Sequence, residues 1–173
     1  MSKLPRGVYA VWLSFDKNRW TLIGKDMEEF AYELNPEVST FKNILGESTA
    51  THNGYTPSGD IQYAARSEDA IYENIKGIAD NLYSDDEHCR AYMISAILDE
   101  EVKDSETTVL TGTGYEVAGL VSVTSVGGDT SGLSMPFTFT EDGARTQGTV
   151  SVSKKVPTFT ANNGSSAEQT ADF

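Results

Sequence analysis

The chain of 173 residues contains a single cysteine, Cys89, and only two histidines. One thiol excludes an internal disulfide and a cysteine-rich zinc site, and it fits a reducing compartment. Basic residues are also scarce, because 13 Lys and Arg face 26 Asp and Glu and leave a formal net charge of -13. Proteins bind phosphate backbones through Lys and Arg, so this chain is expected to repel DNA.

Long hydrophobic runs are missing as well. The apolar stretch from Val8 to Leu13 is too short for a membrane-spanning helix, and no convincing signal-peptide cleavage site follows it. The sequence therefore predicts a soluble, unexported protein. With 38% hydrophobic and 23% charged residues the chain is foldable, and its length favours one domain.

The N-terminal part is predicted to begin with an arm. Residues 1–19 concentrate basic charge in an otherwise acidic chain, which is typical of a mobile or docking segment. Period-two alternation starts at Trp20 and predicts a hairpin whose turn lies at 24–26 and whose second strand spans 27–34. The hairpin is expected to have one solvated face.

A long connection from 35 to 57 follows, with Pro36, Gly46 and the turn-forming pair Asn53-Gly54. This composition predicts an extended loop, or short strands around 41–45. We expect the loop to be partly flexible in the monomer and ordered on polymerisation.

One α-helix is predicted, over about 67–83. Ser67 is the expected N-cap, and acidic residues after it suit the positive end of the helix dipole. Apolar residues recur at helical spacing, namely Ile71, Ile75, Ile78 and Leu82. This stripe is expected to face a sheet.

The rest of the chain is predicted to be β. Strands are expected at 89–98, 108–112, 115–126, 133–140 and 146–152, with the last two forming a hairpin. Cys89 is interpreted as a small core residue. From Ser153 the sequence turns polar and small, which predicts a flexible C-terminal arm over 153–173.

The stretch Gly128-Asp129-Thr130-Ser131-Gly132 is similar to the nucleophile loop of trypsin-like proteases and to the Asp-Thr-Gly loop of aspartic proteases. Thr130 stands where the first class needs serine, and no second Asp-Thr-Gly loop is present for the other. A glycine-rich turn between strands explains the same residues. Pro136 cannot donate a ladder hydrogen bond, so it predicts an edge strand or a bulge.

No other motif indicates a reaction. His52 and His88 have no His or Cys partner at ligand spacing, and Asp85, Asp86 and Glu87 lack the spacing of a calcium loop. A glycine-rich phosphate loop is also missing. The sequence predicts no catalytic residue, no cofactor and no metal site.

Two segments resemble the major tail protein, or tail tube protein, of long-tailed bacteriophages and prophages of Gram-positive bacteria. They read EFAYELNPEVSTFKNILGESTATHNGYTPSGDIQYAARSEDAIYENIKGIAD and GGDTSGLSMPFTFTEDGARTQGTVSV. The resemblance runs from about Trp20 to Val152, over most of the chain, and it favours non-contractile tails. It is a likeness of whole segments and carries no active-site residue.

The resemblance implies a mainly β fold with one flanking α-helix, a β-sandwich or barrel-like tail tube domain over 20–152. It implies six copies in each ring, rings stacked into a tube, and double-stranded DNA passing through without specific binding. The implied partners are further copies of the chain, a tape measure protein, a tail terminator and distal tail proteins. The implied location is the virion tail, assembled in the host cytoplasm.

Acidic side chains suit the wall of such a conduit, because like charge shortens the residence of phosphates. The predicted lumen-lining residues are Glu28, Glu29, Glu33, Glu116 and Asp142. An outer solvated face is the alternative position for each of them.

Two other functions are consistent with the residues. A ligand- or glycan-binding β-sandwich module of a phage tail or surface protein would use Trp12, Trp20 and the tyrosines for stacking on sugars, although such aromatics are more often in the core. A hydrolase would depend only on the loop of Asp129 and on carboxylates.

Overall fold

The computed structural model describes residues 2–24, 30–102 and 109–162. Its elements in chain order are a 3-10 helix (Arg6–Val8), β1 (Tyr9–Ser14), β2 (Thr21–Ile23), β3 (Tyr32–Glu33), β4 (Pro36–Lys42), β5 (Ser48–Tyr55), β6 (Ser58–Ile61), α1 (Tyr72–Asn81), α2 (Asp86–Cys89), β7 (Arg90–Leu98), β8 (Leu110–Val123), β9 (Gly127–Asp129), β10 (Gly132–Ser134), β11 (Phe137–Glu141), β12 (Thr146–Ser153) and β13 (Val156–Ala161).

Nine of these strands form one antiparallel sheet. Its path is β2-β1-β7-β8-β11-β6-β3, and β12 and β13 branch from β8. The branch arises because β8 is fourteen residues long: its first half pairs with β12 and its second half with β11, while β7 covers its other edge. The predicted mainly β fold with a flanking helix is confirmed.

The two branches curl over opposite faces of β1 and β7, which are buried on both sides. The residues of these strands that pack with α1, β6 and β11 are Val11, Leu13, Ala91 and Met93. Those that pack with β12 on the opposite face are Ala10, Trp12, Ile94, Ala96 and Leu98. The core is therefore divided into two clusters by the central pair of strands.

The helix covers the first cluster with the predicted stripe, since Ile71, Ile75 and Ile78 are buried. It begins at Tyr72, and no side chain caps it, so the prediction of Ser67 as N-cap is wrong. Leu82 terminates the helix in a left-handed conformation and is 84% exposed, so the stripe ends earlier than predicted.

Both predicted arms are wrong in part. Residues 9–14 form β1 at the centre of the core, because the basic residues that suggested an arm flank an apolar strand. At the other end, 156–161 form β13 on β12. The turn at Lys154-Lys155 is fixed to β1, where Trp12 Nε1 donates to the Lys155 carbonyl at 3.1 Å. The rest of the predicted C-terminal arm, from 163, lies outside the described residues.

The pairing of several strands also differs from prediction. The strands expected to form the first hairpin, β2 and β3, lie at opposite ends of the sheet path, on β1 and β6. The final predicted hairpin does not form, because β11 and β12 pair with β8 one after the other instead of with each other. The two strands predicted at 108–112 and 115–126 are replaced by one strand, β8, whereas the strand predicted at 133–140 is interrupted at Pro136. Alternation identified most of these strands, but it does not encode their partners.

A buried ion pair lies where the branches separate. The Glu141 carboxylate, 4% exposed, accepts hydrogen bonds from Arg145 Nε at 2.8 Å and Nη2 at 2.7 Å. Tyr32 from β3 donates to the same carboxylate at 2.7 Å, and the guanidinium lies 3.9 Å from the ring centroid of Tyr115. These contacts connect β3, β8 and β11 at one point.

Candidate assembly surface

A hairpin of β4 and β5 projects from the body of the protein. All seven residues of β4 are exposed, and so are seven of the eight residues of β5. Among the described residues the two strands pair with each other alone and form a separate two-stranded sheet. The segment predicted as an extended loop is thus an ordered projection, and such a hairpin alone in water is marginally stable.

The base of the hairpin is fastened to the sheet by Asn35. Its backbone is left-handed, with φ of 49°, and its side-chain amide donates to the Thr56 carbonyl at 3.0 Å and to Ser58 Oγ at 3.2 Å. The Thr56 amide donates back to the Asn35 carbonyl. These bonds join the two strands to each other where they leave the sheet.

The tip of the hairpin is organised by Asn43. Its Oδ1 accepts hydrogen bonds from the amides of Leu45 and Glu47, both at 3.0 Å, and its Nδ2 donates to the Glu47 carboxylate at 2.7 Å. Gly46 supplies the positive φ of 84° that the turn requires. This turn holds Ile44 and Leu45 in solvent.

Five large apolar side chains on the hairpin are more than half exposed. Their exposed fractions are 57% for Val38, 69% for Phe41, 102% for Ile44, 79% for Leu45 and 59% for Tyr55. Apolar side chains scattered singly are ordinary, but a concentration on one projection marks an interaction surface. The sequence signal for this hairpin is the threonine-rich, β-branched composition of 38–51. Alternation alone does not distinguish these residues from a loop.

The predicted lumen-lining residues do not form one cluster. Glu33 and Glu116 point to the same face of the sheet, because both face away from the cluster that contains α1. Glu33 is in register with Leu120, three strands away, and Glu116 lies four residues before Leu120 on β8. Their separation along the sheet is therefore roughly 20 Å. This exceeds a Debye length, and the two charges act independently.

Two of the predicted residues are paired with cations. Glu116 lies 3.1 Å from Lys17 Nζ, and Asp142 lies 2.8 Å from Arg90 Nη2. These partners reduce the negative potential of both carboxylates. Glu33 is exposed, and the two remaining candidates, Glu28 and Glu29, lie outside the described residues.

Asp60 belongs to the same face and was missed by sequence reasoning. It is exposed on β6 and accepts a hydrogen bond from Thr138 of β11 at 2.6 Å. Alternation in β6 was the available signal, since it places Asp60 opposite the buried neighbours Gly59 and Ile61. This face therefore carries Glu33 and Asp60 as exposed acids.

The protease-like stretch is a turn, as the second interpretation predicted. Asp129 lies at the end of β9, where its carboxylate accepts hydrogen bonds from the amide of Ser131, at 2.8 Å, and from the Ser131 hydroxyl. These bonds lower the pKa of Asp129. His52 lies on β5 and His88 on α2, and each bonds within its own segment.

The aromatic residues considered for sugar stacking have different positions. Trp12 is fully buried, so it cannot stack on a ligand. Trp20 borders a groove of about 660 Å³ along β2, with Tyr9 and Phe30. Cys89 is buried as predicted, and burial raises the pKa of its thiol.

Within the described ranges no group of three or more His, Cys, Asp or Glu side chains is placed to hold a metal ion. The helices in the same ranges are too short or too polar to cross a bilayer. Comparison with protein-family models found no match, and neither did comparison with curated proteins.

Proposed function

We propose that this protein is a structural subunit of a bacteriophage tail tube, which assembles with copies of itself into stacked, hexameric rings around a conduit for DNA. The observation that carries the proposal is the projecting hairpin, whose apolar side chains lie in water in the isolated chain. Such a surface is expected to be covered in the working assembly. The resemblance of the sequence to tail tube proteins supplies the identity of that assembly.

The size of the apolar surface fits cooperative assembly. Burying Phe41, Ile44 and Leu45 stabilises a contact by about 1.5–3 kcal/mol for each side chain, or roughly 5–9 kcal/mol together. Association itself costs roughly 4–15 kcal/mol in lost freedom. A single hairpin contact is therefore weak, and stable binding needs several contacts at once, as in a closed ring or a stack.

Sheet edges provide the additional contacts. In the part of the chain that the structure describes, the sheet path ends at β2 and β3, and the branch ends at β13, a strand of six residues that pairs with β12 alone. An edge strand presents unpaired backbone groups that another chain can complete. Head-to-tail pairing of this kind closes into a ring when the rotation between subunits divides a full turn.

The charge of the chain suits passage of DNA. A net charge of -13 repels phosphates, and the face with Glu33 and Asp60 offers exposed carboxylates without a basic partner among the described residues. We assign this face to the lumen. Glu116 and Asp142 contribute less, because Lys17 and Arg90 neutralise them.

The test is the paired variant Ile44→Ser/Leu45→Ser. It removes the apolar tip, and it should leave the unfolding temperature unchanged because neither side chain packs on the core. Assembly should shift to at least about tenfold higher concentration, measured by sedimentation velocity and negative-stain electron microscopy. Leu82→Asn is the matched control, since it removes an equally exposed leucine outside the hairpin.

Tubes or rings of wild-type protein that disappear in the tip variant and persist in the control support the proposal. A protein that stays monomeric at high concentration, even with tail partners added, contradicts it. Carbohydrate binding by such a monomer, lost on substitution of Trp20 in the groove, would favour the glycan-binding alternative instead.

A further inference from the structure

The Asn53-Gly54 pair lies inside a strand, where it forms an irregular site. Glu37 pairs with Gly54 and Val38 pairs with His52, so Asn53 is the extra residue of a β-bulge. Gly54 has a φ of 115°, which glycine adopts without strain. The pair was expected to form a turn, but the turn of this hairpin lies at 43–47.

His52 is positioned on the backbone amide of Gly54. The Gly54 N–H donates to Nδ1 of His52 at 3.0 Å. Nδ1 accepts this bond only in the neutral imidazole that carries its proton on Nε2. The ring of Tyr55 lies against the imidazole, with 4.6 Å between ring centroids, and limits its rotation.

The carboxamide of Asn53 is the third component of the site. Its Nδ2 donates to Ser39 Oγ on the opposite strand at 3.2 Å, and both His52 and Asn53 are exposed to water. A backbone N–H, an imidazole that accepts its hydrogen bond and a carboxamide carbon next to the same nitrogen in the chain therefore lie within three consecutive residues. This is the arrangement of a nucleophile activated by an adjacent base.

We propose that His52, Asn53 and Gly54 form a self-modification site, at which Asn53 is converted to aspartate and isoaspartate with His52 as the general base. Nδ1 takes the proton of the Gly54 amide, and the nitrogen forms a bond to Cγ of Asn53. The Cγ–Nδ2 bond breaks, and the imidazolium returns its proton to the leaving ammonia. Water then opens the succinimide at either carbonyl.

The surrounding hairpin permits the rotation that ring closure needs. A two-stranded sheet with no core contact opens locally at a low free energy, and the bulge already interrupts its ladder. Glycine offers no side chain to hinder attack by its own nitrogen. The site thus combines a hydrogen-bonded base with a pair of strands that can open locally at low cost.

The product changes the hairpin in two ways. Either product places a new carboxylate beside Glu37, the partner of Gly54, and isoaspartate also lengthens the backbone of β5 by one carbon. Like charges on facing strands destabilise a hairpin. This consequence depends on the proposed function: modification should reduce the ability of the hairpin to join copies, so assembled tubes and aged monomers should differ at Asn53.

The experiment compares native wild-type protein with the variant His52→Gln during incubation at neutral pH. Peptide mass spectrometry, with hydrolysis in ¹⁸O-labelled water, measures conversion at Asn53. The sequence supplies an internal reference in its second Asn-Gly pair, Asn163-Gly164, which is preceded by asparagine. Conversion at Asn53 should be at least about tenfold slower in the variant, while conversion at Asn163 is unchanged.

Incubation in concentrated urea distinguishes the folded placement of His52 on the Gly54 amide from the mere closeness of the two residues in the chain. The two proteins should then react at similar rates, because unfolding removes the placement of His52 on the Gly54 amide. Equal rates of the two native proteins, or an unreactive Asn53 while Asn163 reacts, would overturn the proposal. The measured quantity is peptide mass, which does not depend on assembly. A failure of the proposed tail tube function would therefore leave the proposal for Asn53 intact.

Discussion

The substitution Glu141→Gln tests the ion pair at the branch point of the sheet. Glu141 accepts three hydrogen bonds, one from Tyr32 and two from Arg145. The variant keeps the shape of the side chain but removes its charge, and one of its two terminal atoms becomes a donor. Both Arg145 nitrogens and the tyrosine hydroxyl then compete for a single acceptor.

The magnitude follows from burial. Removing one partner of a buried ion pair costs about 3–5 kcal/mol. The lower end applies here, because the Arg145 side chain is 27% exposed and retains some hydration. We expect a loss of about 3 kcal/mol in the free energy of unfolding. Tyr32→Phe should cost about 1.5–3 kcal/mol, since it removes one hydrogen bond to a charged group.

Urea unfolding measures these losses, with the slope m unchanged if the fold is retained. The matched control is Glu33→Gln, an exposed glutamate at the end of β3, which should change the free energy by less than about 0.5 kcal/mol. The double variant of Glu141 and Tyr32 should lose less than the sum of the single losses, because the residues share one hydrogen bond. A loss below about 1 kcal/mol for Glu141→Gln would refute the reasoning.

Three other predictions concern stability. Asp16 accepts hydrogen bonds from the amides of Arg19 and Asn18, which lower the pKa of its carboxyl to about 2. Its contribution to the free energy of unfolding is present above pH 4 and is lost as the pH falls through 2. Asp16→Ala should therefore cost about 1 kcal/mol at pH 7 and little at pH 2 in urea titrations. Burial raises the pKa of Tyr115 to about 12, so the free energy of unfolding should fall as the pH rises from about 10 to 12. Tyr115→Phe should reduce that fall, which urea titrations at several pH values measure. Gly114→Ala should destabilise the protein by about 1–3 kcal/mol, because the added Cβ would overlap the Ser95 carbonyl. Gly77→Ala should instead stabilise it by about 0.5–1 kcal/mol, because a Cβ on this face of α1 meets no other atom of the described residues. Thermal unfolding of both variants measures the opposite signs.

Local patterns in the sequence predicted several elements correctly. The spacing of Ile71, Ile75 and Ile78 identified the buried face of α1, and the apolar run after Cys89 identified β7. The glycines around Asp129 identified a turn. Each of these features depends on neighbours within a few residues, and that is the range over which periodicity and turn chemistry act.

The candidate surface was predicted less completely. The acidic composition indicated exposed carboxylates, but nothing in the sequence places Lys17 beside Glu116 or Arg90 beside Asp142. The segment 35–57 was recognised as a connection, and only the structure separates it into β4, β5 and an apolar tip. An exposed apolar residue cannot be distinguished from a buried one by its identity alone.

By itself the sequence determined the β-rich class, the buried face of α1, the acidic charge and the positions of β2, β7, β8, β11 and β12. Tertiary structure alone decided that β1 lies in the centre, that β2 and β3 occupy opposite ends of the sheet, and that β8 serves two branches. The physical reason is that a strand makes its backbone hydrogen bonds to other strands, which can be distant in the chain. Which strand completes them depends on how the two apolar clusters close, a property of the whole chain.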